Sequence, residues 1–140
     1  VIVSDTPAPD PARYPGAAEL IGDDYEFARL RPARGDAVVI ATQHNGDHIS
    51  AVRALRSPAG IVAIIASPKR AGLMRYFLRD EGFGADDLAR LRTPAGLDIG
   101  AHTPTEIALS VIGEIVMRRR GGCGGPRRDT TSASAMAEAN

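Results

Sequence analysis

Positive side chains follow the most apolar stretch of the sequence. Lys69 and Arg70 come directly after Ser67-Pro68, which follows the apolar run Ile61–Ala66, typical of a buried strand. Serine followed by proline commonly begins a helix, with serine as the N-cap and proline as the first helical residue. Cations cost stability at this positive end of the helix dipole unless an anion lies among them. The pattern therefore favours a phosphate site formed by Ser67, Lys69 and Arg70; the alternative is that both cations point into solvent.

A second group of polar residues follows another strand-like run, Asp36–Thr42. Because ligands of open α/β sheets bind at the carboxyl ends of parallel strands, Thr42 and His44 are candidate ligand contacts. Asp47 is predicted to N-cap the next helix. His44 and His48 are four residues apart, but two histidines without a third ligand do not indicate a metal site. We therefore expect no metal.

The loop before the last helix contains Gly96, Asp98 and Gly100. Thr103 is predicted to N-cap that helix, and Glu106 to complete a capping box three residues later. A loop fixed in this way has a defined shape, and its glycines let the backbone approach a ligand or another strand closely. Asp98 is expected either to accept a hydrogen bond from a ligand or to bind the loop's own amides.

The last helix also carries polar residues at helical spacing. Glu106, Ser110 and Glu114 recur along it, whereas its other residues are largely apolar. A polar stripe of this kind predicts a solvated face or a subunit contact.

Val1–Asp5 is a short strand-like run that ends in an acid. In dinucleotide-binding domains such an acid accepts hydrogen bonds from a ribose, so Asp5 is a candidate cofactor contact; the alternative is that it begins the proline-rich turn Thr6–Pro15. These domains usually open with an earlier strand and a glycine-rich turn, and the sequence contains no GxGxxG. We therefore expect the first strand and its phosphate loop to lie upstream of Val1.

Strand-like runs alternate with amphipathic segments along the chain. This order predicts a three-layer α/β, Rossmann-like parallel sheet that lacks its first strand and glycine-rich turn. The predicted domain covers residues 1–120, and residues 121–140, which have no apolar period, are expected to form a disordered tail. The predicted strands are 1–5, 17–21, 36–42 and 61–66. The predicted helical segments are a turn after Asp23-Asp24, a helix that starts at Asp47, and helices over Pro68 to about Glu81, Asp86–Leu91, and Pro104 to about Arg119.

The composition is that of an ordinary globular protein. The 140 residues include 17 basic and 17 acidic side chains, so a formal net charge of zero gives no general attraction to nucleic acid or membranes. No apolar run is long enough to span a bilayer. The single cysteine, Cys123, forms no internal disulfide, which fits a reducing compartment such as the cytoplasm. No nucleophile elbow, P-loop or zinc motif occurs, so no catalytic residue is predicted.

The segment PAGLDIG, followed by TPTEIALS, resembles the C-terminal domain of the xanthine dehydrogenase accessory family, of the XdhC/CoxI type. The resemblance extends from Val1 to about Arg119 and is densest from Ile61 to Val116. It implies a Rossmann-like fold. It also implies a role in maturing the molybdenum cofactor, molybdopterin, and inserting it into a molybdenum hydroxylase such as xanthine dehydrogenase or carbon monoxide dehydrogenase. The family's Ser-x-x-Arg matches Ser67 and Arg70.

The resemblance further implies what the protein binds and contacts. The cofactor would lie at the strand ends, with its phosphate on Ser67, Lys69 and Arg70 and one wall formed by the loop from Gly96 to Gly100. The partners would be an apo molybdenum hydroxylase and a cysteine desulfurase, and the protein would hand on cofactor without turnover. A homodimer is expected separately, because two-fold dimers are the commonest oligomers. Two other functions stay open. One is an NAD(P)-dependent oxidoreductase domain, which would bind NAD(P) or another nucleotide and needs the glycine-rich turn upstream; the other is a non-binding oligomerisation module.

Overall fold

The computed structural model describes residues 2–4, 8–22, 24, 26–42 and 46–128. Within them the chain forms five strands, four α-helices and one 3-10 turn. In chain order these are β1 (Ile2–Ser4), the 3-10 turn (Pro11–Arg13), β2 (Leu20–Gly22), β3 (Ala37–Ile40), α1 (Asp47–Arg56), β4 (Ile61–Ile64), α2 (Pro68–Asp80), α3 (Ala85–Ala89), β5 (Leu91–Arg92) and α4 (Pro104–Arg120). The chain divides into two compact units, residues 1–94 and residues 95–140. The first contains the strands and α1 to α3, and the second contains α4 and the loop before it.

The main sheet consists of three parallel strands in the order β3-β4-β5, and β1 and β2 form a separate parallel pair. Ala37 of β3 lies beside Ile61 of β4, and Val62 of β4 lies beside Leu91 of β5. Helix α1 connects β3 to β4, and α2 and α3 connect β4 to β5, because parallel neighbours need crossover connections. This arrangement confirms the α/β, Rossmann-like class predicted from the alternation of strands and helices.

The core of the first unit surrounds β4. Val62, Ala63 and Ile64 are buried at successive positions, so both faces of the strand are covered. Leu55 of α1 and Leu78 of α2 are also fully buried, and both belong to one apolar cluster with Val62 and Ile64. The continuous apolar run in the sequence therefore predicted the central strand correctly.

A buried aspartate organises the loop between β2 and β3. Asp24 is only 4% exposed, and its carboxylate accepts hydrogen bonds from the backbone N–H groups of Arg29 and Leu30 at 2.9 to 3.2 Å. Residues 26–30 form an irregular loop in which Phe27 has a φ of 57°, so the helical turn predicted here is wrong. The aspartate side chain binds the amides that a helix would have paired with its own carbonyl groups. Asp23 lies outside the described residues.

The sheet ends in a strand that the sequence pattern did not show. The helix predicted over Asp86–Leu91 is wrong at its end, since α3 stops at Ala89 and Leu91–Arg92 pairs with β4. Arg90 lies between the two elements, and its guanidinium donates to the carbonyl oxygens of Ser57 and Ala59 at 3.0 and 2.8 Å. A two-residue strand is too short for an apolar period to reveal.

The environment of Asp24 makes its charged form part of the fold. Burial disfavours that form and by itself raises the pKa of Asp24, but the backbone N–H groups of Leu30, Arg29 and Ala28 and the charge of Arg29 outweigh burial and leave the pKa lowered. The folded-state pKa is therefore below that of the unfolded chain. Ionised Asp24 stabilises the fold above a pH of about 4, and this contribution is lost as the pH falls through the folded-state pKa.

Asp24→Ala is expected to lower the free energy of unfolding by about 1–3 kcal/mol at neutral pH, because the amides of Arg29 and Leu30 lose a buried acceptor. Urea unfolding followed by circular dichroism measures this loss, and the difference from wild type should shrink below a pH of about 4. The control is Asp80→Ala at an exposed position, expected to change stability by less than about 0.5 kcal/mol. Equal losses for the two variants would contradict the role of Asp24.

Candidate functional site

A cleft of about 250 Å³ lies in the first unit, where the end of β4 meets α1 and α2. Its apolar walls come from Ile64, Ala66, Leu73, Met74 and Phe77. Its polar lining comes from Asp47, His48 and Arg70. The ring of His48 stands edge-on to that of Phe77, with centroids 5.8 Å apart. Small-molecule pockets usually start at about 300 Å³, so this cleft suits one ring system rather than a whole dinucleotide.

The polar lining of the cleft contains an ion pair. Nη2 of Arg70 lies 2.8 Å from Oδ2 of Asp47, whose carboxylate is buried. Asp47 is in the first turn of α1, where the helix dipole also favours its negative charge. Its other carboxylate oxygen, Oδ1, is buried without a hydrogen-bond partner among the described residues. Arg70 is therefore held by a buried charge and is not a free cation.

The predicted N-cap of α1 is wrong by one residue. Gly46 occupies the N-cap position with a φ of 77°, and no side chain caps the helix. Glycine adopts this left-handed backbone without steric cost. Asp47 is the first helical residue instead, and from there its carboxylate reaches Arg70.

Helix α2 begins as predicted. Ser67 is the N-cap, its Oγ accepting from the N–H of Arg70 at 3.4 Å, and Pro68 is the first helical residue. No acidic residue lies in the first turn. Lys69 is exposed, and within the described part of the chain it makes no ion pair. Lys69 is thus available to an anion, whereas Arg70 is already engaged.

The other residues predicted at the strand ends are only partly described. Thr42 follows β3, and its Oγ1 is buried without a partner within residues 2–4, 8–22, 24, 26–42 and 46–128. Thr93 follows β5, and its Oγ1 is also buried without a hydrogen-bond partner among the described residues. Asp5 and His44 lie outside the described residues, so their ligand contacts stay predictions. Sequence reasoning missed Thr93 because it missed β5.

The glycine loop belongs to the second unit, where α4 fixes its shape. The N–H of Gly96 donates to Oε2 of Glu114 at 2.8 Å, and the N–H of Leu97 donates to the carbonyl oxygen of Ser110 at 3.2 Å. Gly96 has a φ of 108°, and a Cβ there would lie 2.3 Å from Oγ of Ser110. The backbone at Gly96 therefore approaches a helix closely, whereas the sequence predicted a close approach to a ligand or another strand.

The remaining predicted residues of the loop are exposed. Asp98 accepts from the N–H of Gly100 at 3.4 Å, which is the second of its two predicted roles. Gly100 has a φ of 70°, and a Cβ there would meet nothing within 4 Å. Because the strand ends and this loop belong to different compact units, a binding site that combines them stays a prediction.

Helix α4 begins with the predicted capping box. Oγ1 of Thr103 accepts from the N–H of Glu106, and Oε2 of Glu106 accepts from the N–H groups of Thr103 and His102 at 2.8 and 2.9 Å. Hydrogen bonds from the backbone of Thr103 and His102, and from the Thr103 hydroxyl, lower the pKa of Glu106. The negative charge at this end also suits the helix dipole.

The exposed side of α4 is not the predicted one. Ser110 is buried and Glu114 binds the loop, so these two residues do not form the predicted solvated face, and a subunit contact through them stays a prediction. The exposed side carries Leu109, Ile112 and Val116 instead. A helical period separates two faces but does not say which of them the rest of the fold covers.

The described residues offer neither a metal-binding cluster nor a membrane-spanning helix. No group of three or more His, Cys, Asp or Glu side chains in that part of the chain could hold a metal ion. None of its helices combines the length and the apolar character needed to cross a membrane. Cys123 is an exposed free thiol.

Comparison with known proteins places these features in a family. The model of the XdhC Rossmann domain matches residues 1–115, which is most of the chain. This chain belongs to the XdhC Rossmann domain family. The membership confirms the resemblance inferred from PAGLDIG and TPTEIALS, and it confirms the Rossmann-like fold.

Relatives of this XdhC domain are longer proteins. The Escherichia coli K12 protein YqeB is 33% identical over 108 residues, which are 77% of this chain and 19% of YqeB. The crystal structure of a xanthine dehydrogenase from Bacillus halodurans superposes with a TM-score of 0.66 at 26% identity, covering 80% of this chain and 32% of that one. The XdhC domain thus spans about a fifth of the length of YqeB and about a third of the length of the Bacillus halodurans chain.

Gly96→Ala tests how the XdhC loop is fixed to α4. The substitution is expected to cost about 1–3 kcal/mol of unfolding free energy from the positive φ, and more from the contact of its Cβ with Ser110. Gly100→Ala is the matched control, because it has a positive φ but open space around its Cβ. Urea unfolding of both variants should therefore show the larger loss for Gly96→Ala, and equal losses would show that the contact with Ser110 is unimportant.

Proposed function

We propose that this domain is the cofactor-binding part of an accessory protein that matures a molybdenum hydroxylase, and that it holds a phosphorylated pterin at the carboxyl end of β4. Membership of the XdhC family and the similarity to a xanthine dehydrogenase structure support the accessory role. The observation that carries the binding proposal is the first turn of α2. This turn is capped by Ser67, contains no acidic residue and carries the cation Lys69. The ring-sized cleft lies beside it.

The first turn of α2 offers donors that suit phosphate oxygens. Pro68 has no N–H group, and the N–H of Arg70 is taken by Ser67. The N–H of Lys69, which has no acceptor within the helix, and its ammonium group are left to bind an anion. The guanidinium of Arg70 instead holds Asp47 in place at the cleft.

The adjacent cleft suits the ring system of the same ligand. Apolar side chains such as Met74 and Phe77 would cover the faces of a planar heterocycle. His48 and Asp47 give the cleft a polar side for the nitrogen atoms of such a ring. Because the cleft holds about 250 Å³, a nucleotide attached to the pterin would extend beyond it.

The proposed role is to bind and hand on, without chemistry on the ligand. Lys69, in the first turn of α2, would bind the phosphate, and the walls of the cleft would orient the ring. The molybdenum supplies its redox chemistry only in the finished hydroxylase. Docking of the apo hydroxylase would release the cofactor from the domain.

Lys69→Ala is expected to weaken the binding of molybdopterin, isolated from a molybdenum enzyme, by about tenfold, or about 1.4 kcal/mol. Calorimetric titration measures the affinity. Because a cation in the first turn opposes the helix dipole, the melting temperature should stay equal or rise slightly. Lys69 is the only lysine in the sequence, so the rate at which a reagent acylates its side-chain amine gives a second measurement. Bound cofactor should slow this acylation.

The matched control is Arg79→Ala, which removes the same charge from the last turn of α2 and should leave the affinity unchanged. Arg70→Ala is unsuitable, because it would leave the buried charge of Asp47 without its partner and reduce stability. Equal losses of affinity for Lys69→Ala and Arg79→Ala, or no binding by the wild-type chain, would refute the proposal.

A further inference from the structure

The carboxylate of Asp47 has hydrogen-bonding capacity that the described fold does not use. An ionised carboxylate offers about four acceptor sites on its two oxygens. Arg70 uses one of them, on Oδ2, and Oδ1 is buried without a hydrogen-bond partner among the described residues. A buried acceptor without a donor costs stability, and a donor that reaches it binds strongly because the acceptor is charged. Asp47 therefore has capacity for a second partner.

The cleft is the place where such a partner would bind. Asp47 lines the cleft, and its side chain is only 8% exposed. The apolar walls, which include Met74 and Phe77, supply no donor of their own. A planar ring held between such walls would bring its polar edge to the carboxylate. The ring must therefore carry the donors that Asp47 lacks.

The charge of the ion pair indicates which kind of donor fits. Arg70 already supplies one positive charge for the negative charge of Asp47. A second cation would leave an excess positive charge in a mainly apolar cleft, which is costly. The remaining acceptor capacity of Asp47 therefore suits the N–H groups of a neutral ring.

We propose that Asp47 recognises the 2-amino group and the adjoining ring N–H of an aminopyrimidinone ring, the edge that pterins and guanine share. These two N–H donors point the same way, and a carboxylate accepts such a pair on its two oxygens, as it does from arginine. An adenine ring presents an amine beside an acceptor nitrogen, which the carboxylate repels. Asp47 then selects the ring, whereas Lys69 binds the phosphate. This inference rests on the proposed function, in which a pterin ring occupies the cleft.

The first test compares two free rings that carry no phosphate. Lumazine differs from pterin chiefly in having a carbonyl oxygen where pterin has the 2-amino group. The wild-type chain should bind pterin at least about tenfold more tightly than lumazine, because lumazine places an acceptor against the carboxylate. Both rings fluoresce, so titration with protein, at a pH where both rings are neutral, measures the two dissociation constants.

Asp47→Asn should shift this preference towards lumazine. A guanidinium has only donors, so the amide oxygen of the new side chain must face Arg70, and its NH2 group then takes the place of Oδ1. That donor repels the amine of pterin and suits the carbonyl of lumazine. The ratio of the two affinities should therefore change at least about tenfold in favour of lumazine. If Asp47 only held Arg70 in place, both affinities would change together and the ratio would stay the same.

Asp80→Asn is the matched control. It makes the same chemical change at an exposed position of α2 that does not line the cleft. This variant should keep the wild-type ratio of affinities. Circular dichroism should show that both variants are folded, and if Asp47→Asn does not fold, the wild-type preference for pterin over lumazine decides by itself.

A second pair of probes separates the two sources of this ring edge. Guanosine carries the same two donors as pterin, and inosine lacks the amino group. The wild-type chain should bind guanosine more tightly than inosine, and pterin more tightly than guanosine. Tighter binding of guanosine than of pterin would support the role of Asp47 and contradict the pterin of the proposed function.

The outcomes keep this inference apart from the proposed function. Equal affinities for pterin and lumazine, no binding of either ring, or a ratio that Asp47→Asn leaves unchanged would overturn the role of Asp47. Because these rings carry no phosphate, the titration of Lys69→Ala with molybdopterin still judges the proposed function by itself. Conversely, a chain that distinguishes the rings but does not bind molybdopterin would support the role of Asp47 and refute the proposed function.

Discussion

The first unit depends on one constraint: β4 is buried on both faces and paired on both edges. Val62, Ala63 and Ile64 have no access to water, so helices must cover the strand and its backbone must pair with β3 and β5. Parallel pairing in turn requires helical crossovers that start at one edge of the sheet. The first turns of α1 and α2 therefore meet at the cleft, and the site is a consequence of how the core is built.

Within that site a buried carboxylate decides which cation is available. Asp47 is buried, and a buried charge needs a partner. Arg70 supplies it from the neighbouring helix. Two adjacent cations in the sequence thus have different roles in the fold, since Arg70 is held by the protein and Lys69 is exposed.

The second unit uses the two sides of one helix differently. The polar side of α4 satisfies the loop amides through Glu114 and Ser110, and Gly96 leaves room for that approach. The apolar side is left exposed along Leu109 and Ile112. An exposed apolar side is a cost for a lone domain.

The sequence by itself determined what local chemistry controls: the apolar run of β4, the caps at Ser67 and Thr103, and the family. The structure decided what depends on distant partners. Asp24 binds loop amides instead of starting a helix, because burial and several amides outweigh local helix preference. The pairing of Arg70 with Asp47 and the inward polar side of α4 also join residues far apart in the chain. Helical period and propensity are local, whereas burial and pairing follow only from the tertiary fold.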